Sequence, residues 1–137
     1  MRLRSAPSAL LALLLAATPL AAADLPIHEI QGAGASSPRV GQSVTTTGVV
    51  TALRTNGFYL QAPDAEADAD PATSEGVLVF TSSAPPAAAA VGNHVRVTGS
   101  VVEYRPSADP ASPSLTEVGG NVSVALLSSG NPLPAPV

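Results

Sequence analysis

Two stretches of the chain, residues 40–54 (VGQSVTTTGVVTALR) and residues 91–105 (VGNHVRVTGSVVEYR), align without gaps at an offset of 51, and seven of fifteen positions agree. Each opens on a Val-Gly turn signal and continues as a Thr- and Val-rich run, the vocabulary of β-strands. Each also carries a central glycine, Gly48 or Gly99, flanked two residues away by Thr46 and Val50 or by Val97 and Val101. A mid-strand glycine weakens a flat strand, but it permits the sharp coiling by which one strand serves two layers of a small barrel. Such strands draw on a narrow set of residues, so chance likeness is the competing explanation of the repeat.

Period-two alternation extends the pattern. Residues 44–54 and 58–61 flank the turn signal Thr55-Asn56-Gly57 and predict a hairpin. Further strands are expected at residues 77–81, 95–104 and 122–127, with a short piece at 115–118 leading into the last. No segment carries a sustained helical stripe, and residues 87–90 make at most one turn behind Pro85-Pro86. The class is therefore all-β. Five strands, the first and fourth long and glycine-bent and the longest linker between the third and fourth, predict a five-stranded OB-fold, a small Greek-key barrel. An immunoglobulin-like sandwich would want about seven shorter strands.

The apolar fraction of 45% overstates the core, because much of it lies in residues 1–23 as Ala and Leu. Arg2 and Arg4 precede an unbroken apolar run at residues 9–17, and Ala21-Ala22-Ala23 offers small residues for cleavage. This pattern predicts a cleavable signal peptide over residues 1–23, hence a secreted, extracellular or periplasmic protein. The run is shorter than the roughly 20 residues that span a bilayer, so no membrane partner is expected. Residues 24–39 read as a lead-in segment anchored by Ile27 and Ile30, residues 40–128 as the OB-fold domain, and residues 129–137 as a Pro-rich linker or tail. Without the leader, four arginines face ten carboxylates, a net charge of −6. Tight counterion-release binding of a polyanion calls for the opposite balance. With no cysteine, the fold must stand on its core, a bound ion or a neighbouring domain.

The runs IHEIQGAGASSPRVGQSVTTTGVVTALRTNGFYLQAP (residues 27–63), DADPATSEGVLVFTSSAP (68–85) and VGNHVRVTGSVVEYRP (91–106) resemble the OB-like N-terminal domain of secreted bacterial nucleases of the endonuclease/exonuclease/phosphatase superfamily. The most specific elements are Ile27-His28-Glu29-Ile30-Gln31-Gly32, Gly57-Phe58-Tyr59-Leu60-Gln61, and Thr73-Ser74-Glu75-Gly76 leading into Val79-Phe80-Thr81. The resemblance implies a module that precedes a DNase-I-like catalytic domain, a metal-dependent α/β sandwich that cuts phosphodiester bonds. Residues 133–137 resemble the linker before that domain, so the catalytic half is expected outside this chain, which reads as truncated relative to the pattern. The chain departs from the family at Asn93-His94, where an acidic and a nonpolar or variable residue are usual. It departs again at Ala65, Ala67 and Ala69, in a loop commonly richer in Gly and Asp.

Candidate chemistry is sparse. His28 and His94 lie 66 residues apart without a ligand motif beside either, and no nucleophile triad or HExxH arrangement exists, so no catalytic residue is expected in this chain. The loop before the third strand holds Asp64, Glu66, Asp68, Asp70, Ser74 and Glu75. Glu75 falls eleven residues after Asp64, the first-to-last ligand spacing of a calcium loop, and hard oxygen ligands suit Ca²⁺. Against a calcium loop stand Ala69 in place of the turn glycine, the long Glu66, the intrusive Pro71 and flanking strands instead of helices. A solvated acidic loop is the alternative.

OB-folds bind strands of nucleic acid with stacking aromatics and cations on one face. Alternation sends Phe58 and Leu60 inward and Tyr59 outward, and on the fourth strand sends Val95, Val97 and Val101 inward with Arg96, Thr98 and Tyr104 outward. Tyr59, Arg54, Arg96, Tyr104 and Arg105 are thus the candidate nucleic-acid-binding residues. The expected function is an accessory module that positions DNA or RNA for a DNase-I-like domain in cis or in trans. The alternative is a protein-interaction or scaffolding domain with no nucleic-acid contact.

Overall fold

The computed structural model describes residues 23–136; the expected signal peptide lies outside the described residues but for Ala23. Five strands form: β1 (Ser43–Arg54), β2 (Gly57–Gln61), β3 (Gly76–Phe80), β4 (His94–Tyr104) and β5 (Leu115–Ser128). The class is all-β, as the alternation predicts. Neighbours pair in the order β1-β2-β3-β5-β4, and β4 returns to β1, so the sheet closes on itself as a barrel. Every pairing is antiparallel except β3 with β5, where Leu78 faces Glu117 and Val79 faces Val118.

The inward side of each strand is the apolar one. Phe58, Leu60, Val50, Val79, Val95, Val97, Val101 and Val118 are nearly or fully buried in one cluster. The repeated glycines have a steric reason in common. A Cβ on Gly48 would stand 2.8 Å from the Gln61 carbonyl and 2.8 Å from Leu60 Cγ; one on Gly99 would stand 2.8 Å from Val118 Cγ1 and 2.9 Å from the Gly119 carbonyl. At both places a neighbouring strand crosses too closely for any side chain, which is how two long strands bend through the wall.

Two elements differ from the sequence expectation. Residues 27–31 in the lead-in segment form a one-and-a-half-turn helix, α1 (Ile27–Gln31), which Gly32 ends at φ 67°. Ile27 and Ile30, three residues apart, both face the barrel core. A helix this short has no period to read. The last strand is continuous from Leu115 to Ser128, where two pieces are expected from the sequence. Between the pairs Ser100–Gly119 and Thr98–Ser123, β5 advances four residues against two on β4. Gly119-Gly120 therefore marks a bulge within a strand rather than a gap between strands; before it β5 pairs with both β3 and β4, and after it with β4 alone.

The segments flanking the barrel are tied to it. The Leu25 amide donates to the Thr45 carbonyl at 2.7 Å, and the Asp24 carboxylate accepts from Arg96 Nε at 3.1 Å and Nη2 at 2.8 Å. Glu103 Oε1 accepts from the Ser37 amide at 2.7 Å and the Thr116 hydroxyl at 2.6 Å, which joins the lead-in segment to β4 and β5. The Pro-rich tail runs back along the barrel. Asn131 holds the Gly92 carbonyl, and Ala135 accepts from Gln61 Nε2 at 2.7 Å while donating to Asp64 Oδ1 at 2.9 Å.

Candidate ligand groove and acidic cluster

The outward face of the barrel carries one continuous cross-strand row. Tyr59 on β2 faces Leu78 on β3, Leu78 faces Glu117 on β5, and Glu117 faces Val102 on β4. Beside this row lies a groove of about 470 Å³. Its floor is Leu78, Phe80 and Glu117. One wall is the β1–β2 turn with Arg54 and Asn56; the other is Tyr104 with the β4–β5 loop, which contributes Pro106, Ser112 and Pro113. That loop folds into two turns, with the Asp109 amide on the Pro106 carbonyl and the Ser112 amide on the Asp109 carbonyl. Its prolines restrict φ along the wall.

The five candidate nucleic-acid residues do not all meet here. Arg54 and Tyr104 line the groove, and Arg105 lies between Tyr104 and Pro106, both groove residues. Tyr59, 40% exposed, continues the floor beyond Leu78. Arg96 stands eight residues back along β4, opposite Thr47 and Ala125, and is paired bidentately with Asp24. The hydrogen bonds and charge of Asp24 push the Arg96 guanidinium pKa up. Arg39 pairs with Glu29 at 3.5 Å. Arg54 and Arg105 make no ion pair among the described residues; Arg54 lines the groove, whereas Arg105 does not and its charge acts on Glu103.

Glu117 was not among the expected site residues. A lone Glu between Thr116 and Val118 reads as a solvent-facing strand position, yet only 7% of it is exposed. Burial pushes its carboxyl pKa up, against the opposing pull of the Arg54 charge.

The acidic loop does not gather its carboxylates around one point. Asp64 accepts from Ala135, Glu66 ends a single 3₁₀ turn, and Asp70 Oδ1 accepts from the Ala72 amide at 2.9 Å. Asp68 and Glu75 do converge, and the third member is His28 from α1. Its Nδ1 lies 3.4 Å from Glu75 Oε2 and 3.9 Å from Asp68 Oδ2, and the donor atoms of the three residues fall within 4.8 Å of one another. The Asp70 amide, the Thr73 hydroxyl and His28 together hold the Asp68 carboxyl below the usual carboxylate range. Glu75 Oε1 is already engaged by the Asp68 amide at 2.7 Å. One imidazole nitrogen with two carboxylates is a mixed donor set that suits zinc-like ions better than the all-oxygen shell of Ca²⁺. His28 and Glu75 lie 47 residues apart, and the available signal was that each stands in one of the most specific runs of the sequence. Gln31 Nε2, donating to the Gly76 carbonyl at 2.6 Å, joins the same two runs.

Among the described residues no helix is long and apolar enough to cross a membrane. Comparison with protein-family models, with curated proteins and with solved structures finds no match to this chain.

Proposed function

We propose that this chain is an OB-fold module that holds a short single-stranded segment of DNA or RNA in the groove between the β1–β2 turn and the β4–β5 loop. In the wider scheme it serves a nuclease domain in cis or in trans, as the resemblance implies, and contributes binding rather than catalysis. The ring order β1-β2-β3-β5-β4 supports the fold reading, and the two loops that wall the groove are those with which OB-folds bind oligonucleotides and oligosaccharides. The observation that carries the functional reading is the company in that groove. Tyr104, 50% exposed, offers a stacking face, and Arg54, which makes no ion pair among the described residues, lines the same groove. Stacking of a base on an aromatic contributes about 1–3 kcal/mol and tolerates any sequence.

The net charge of −6 outside residues 1–23 makes the interaction modest. One arginine–phosphate contact, from Arg54, gives a slope of log K against log salt of about −0.7 for a single strand. A fluorescence-anisotropy titration of a labelled single-stranded octanucleotide against salt concentration tests this. Arg54→Ala is expected to remove most of the slope, whereas Arg96→Ala, away from the groove and already paired with Asp24, leaves it unchanged. Equal effects of the two substitutions would remove the groove from the reading. Docking on a protein partner is the second reading, favoured by the exposed Leu126 and Leu127 on β5 and Leu133 in the tail.

A further inference from the structure

The groove floor contains a group that plain strand binding leaves unused. Glu117 is 93% buried by its 7% exposure, lines the groove, and makes no hydrogen bond or ion pair among the described residues. Its oxygens are not shut off from solvent as Glu103 Oε2 is, so the unpaired carboxylate opens into the groove. Its neighbours supply no donor: Leu78 and Phe80 are apolar, and Arg54 stands on the wall beyond ion-pair distance. A ligand that enters the groove meets two acceptor oxygens that no protein group among the described residues engages.

We propose that Glu117 reads the base of the bound strand and selects guanine. This rests on the nucleic-acid reading of the groove and specifies its ligand. An ionised carboxylate only accepts hydrogen bonds, through two oxygens. A phosphate placed against it is repelled, so the strand enters base first, with its backbone toward Arg54 and a base against Tyr104. Single strands expose the Watson–Crick edges of their bases. On that edge guanine presents two adjacent donors, N1–H and the N2 amino group, which match both carboxylate oxygens at once. Cytosine and adenine present one amino donor beside a ring acceptor. Thymine and uracil present one N–H between two carbonyl oxygens, which the carboxylate repels.

The test uses two labelled hexanucleotides at low salt, one all dT and one with a single central dG, titrated with the purified protein by fluorescence anisotropy. The dG strand is expected to bind about tenfold more tightly, the discrimination of one good bidentate pair. Glu117→Gln keeps the shape but turns one oxygen into a donor. An amide pairs alike with the N1–H/O6 edge of guanine and the N3–H/O4 edge of thymine, so the tenfold preference is expected to vanish. Tyr104→Ala, which removes the stacking face and leaves the carboxylate, is expected to weaken both strands equally and keep their ratio. Equal binding of the two strands by the native protein, or a preference that survives Glu117→Gln, overturns the assignment while the nucleic-acid reading stands. Binding of neither strand overturns both.

Discussion

Replacing Gly48 or Gly99 by alanine tests the physical account of the fold. Neither glycine has a positive φ, so the substitution adds no backbone strain, and alanine's smaller unfolded-state entropy favours the native state by about 0.4–1 kcal/mol. Against this gain stands the close crossing. The new Cβ at position 48 meets a backbone carbonyl and Leu60 Cγ at 2.8 Å, distances that real Cβ contacts do not reach, so β2 must shift by several tenths of an ångström. Overpacking of this kind costs about 1–3 kcal/mol, which leaves a net loss of about 1–2 kcal/mol. At position 99 the obstacle is Val118 Cγ1 and the Gly119 carbonyl, and the loss should be similar. For a domain of this size the melting temperature falls by roughly 4–10 °C. Thermal unfolding is followed by far-UV circular dichroism, because the chain has no tryptophan. Gly34→Ala is the control: its Cβ would meet nothing closer than 3.7 Å, and it should be neutral or slightly stabilising. If Gly48→Ala and Gly99→Ala behave like the control, close strand crossing is not what demands those glycines.

Three further outcomes follow from individual side chains. The Thr46 hydroxyl is fully buried without a partner, so Thr46→Val should raise stability by about 1 kcal/mol, visible as a higher urea midpoint at unchanged m-value. Glu103→Ala strips the acceptor from the buried Ser37 amide and Thr116 hydroxyl and should cost about 2–3 kcal/mol by the same measurement. Glu117 has a raised carboxyl pKa in the folded state, so its unfavourable contribution is absent at acid pH and grows as pH rises through that pKa. Glu117→Gln should therefore match the native protein near pH 4 and exceed its stability at neutral pH. Asp68 is shifted the opposite way and supplies stability above the ordinary carboxylate range that is lost as pH falls, in both proteins alike.

Much of the barrel was legible because strand chemistry is local. The repeat marked β1 and β4, and simple alternation separated the buried Phe58 and Leu60 from the exposed Tyr59. Other features depend on contacts far along the chain. The continuity of β5 was hidden because Gly119-Gly120 signals a break in sequence but a bulge in the sheet. Glu117 stayed unmarked because alternation assigns a side chain to a face of the sheet without revealing that the β4–β5 loop walls that face. His28 looked isolated because Asp68 and Glu75 approach it only when α1 docks on the barrel. The pairing of Arg96 with Asp24 spans 72 residues, and it removes from the groove a cation that spacing alone had placed with Tyr104.

The most direct test of the central claim is a map of backbone amide chemical shifts as a single-stranded hexanucleotide is added to isotopically labelled protein. The largest changes are expected at Arg54 to Gly57, Leu78 to Phe80, and Tyr104 to Glu117, with His28, Asp68 and Arg96 unmoved. Changes gathered around the His28–Asp68–Glu75 cluster, or no change at millimolar nucleotide, would contradict the assignment of this groove as a nucleic-acid site.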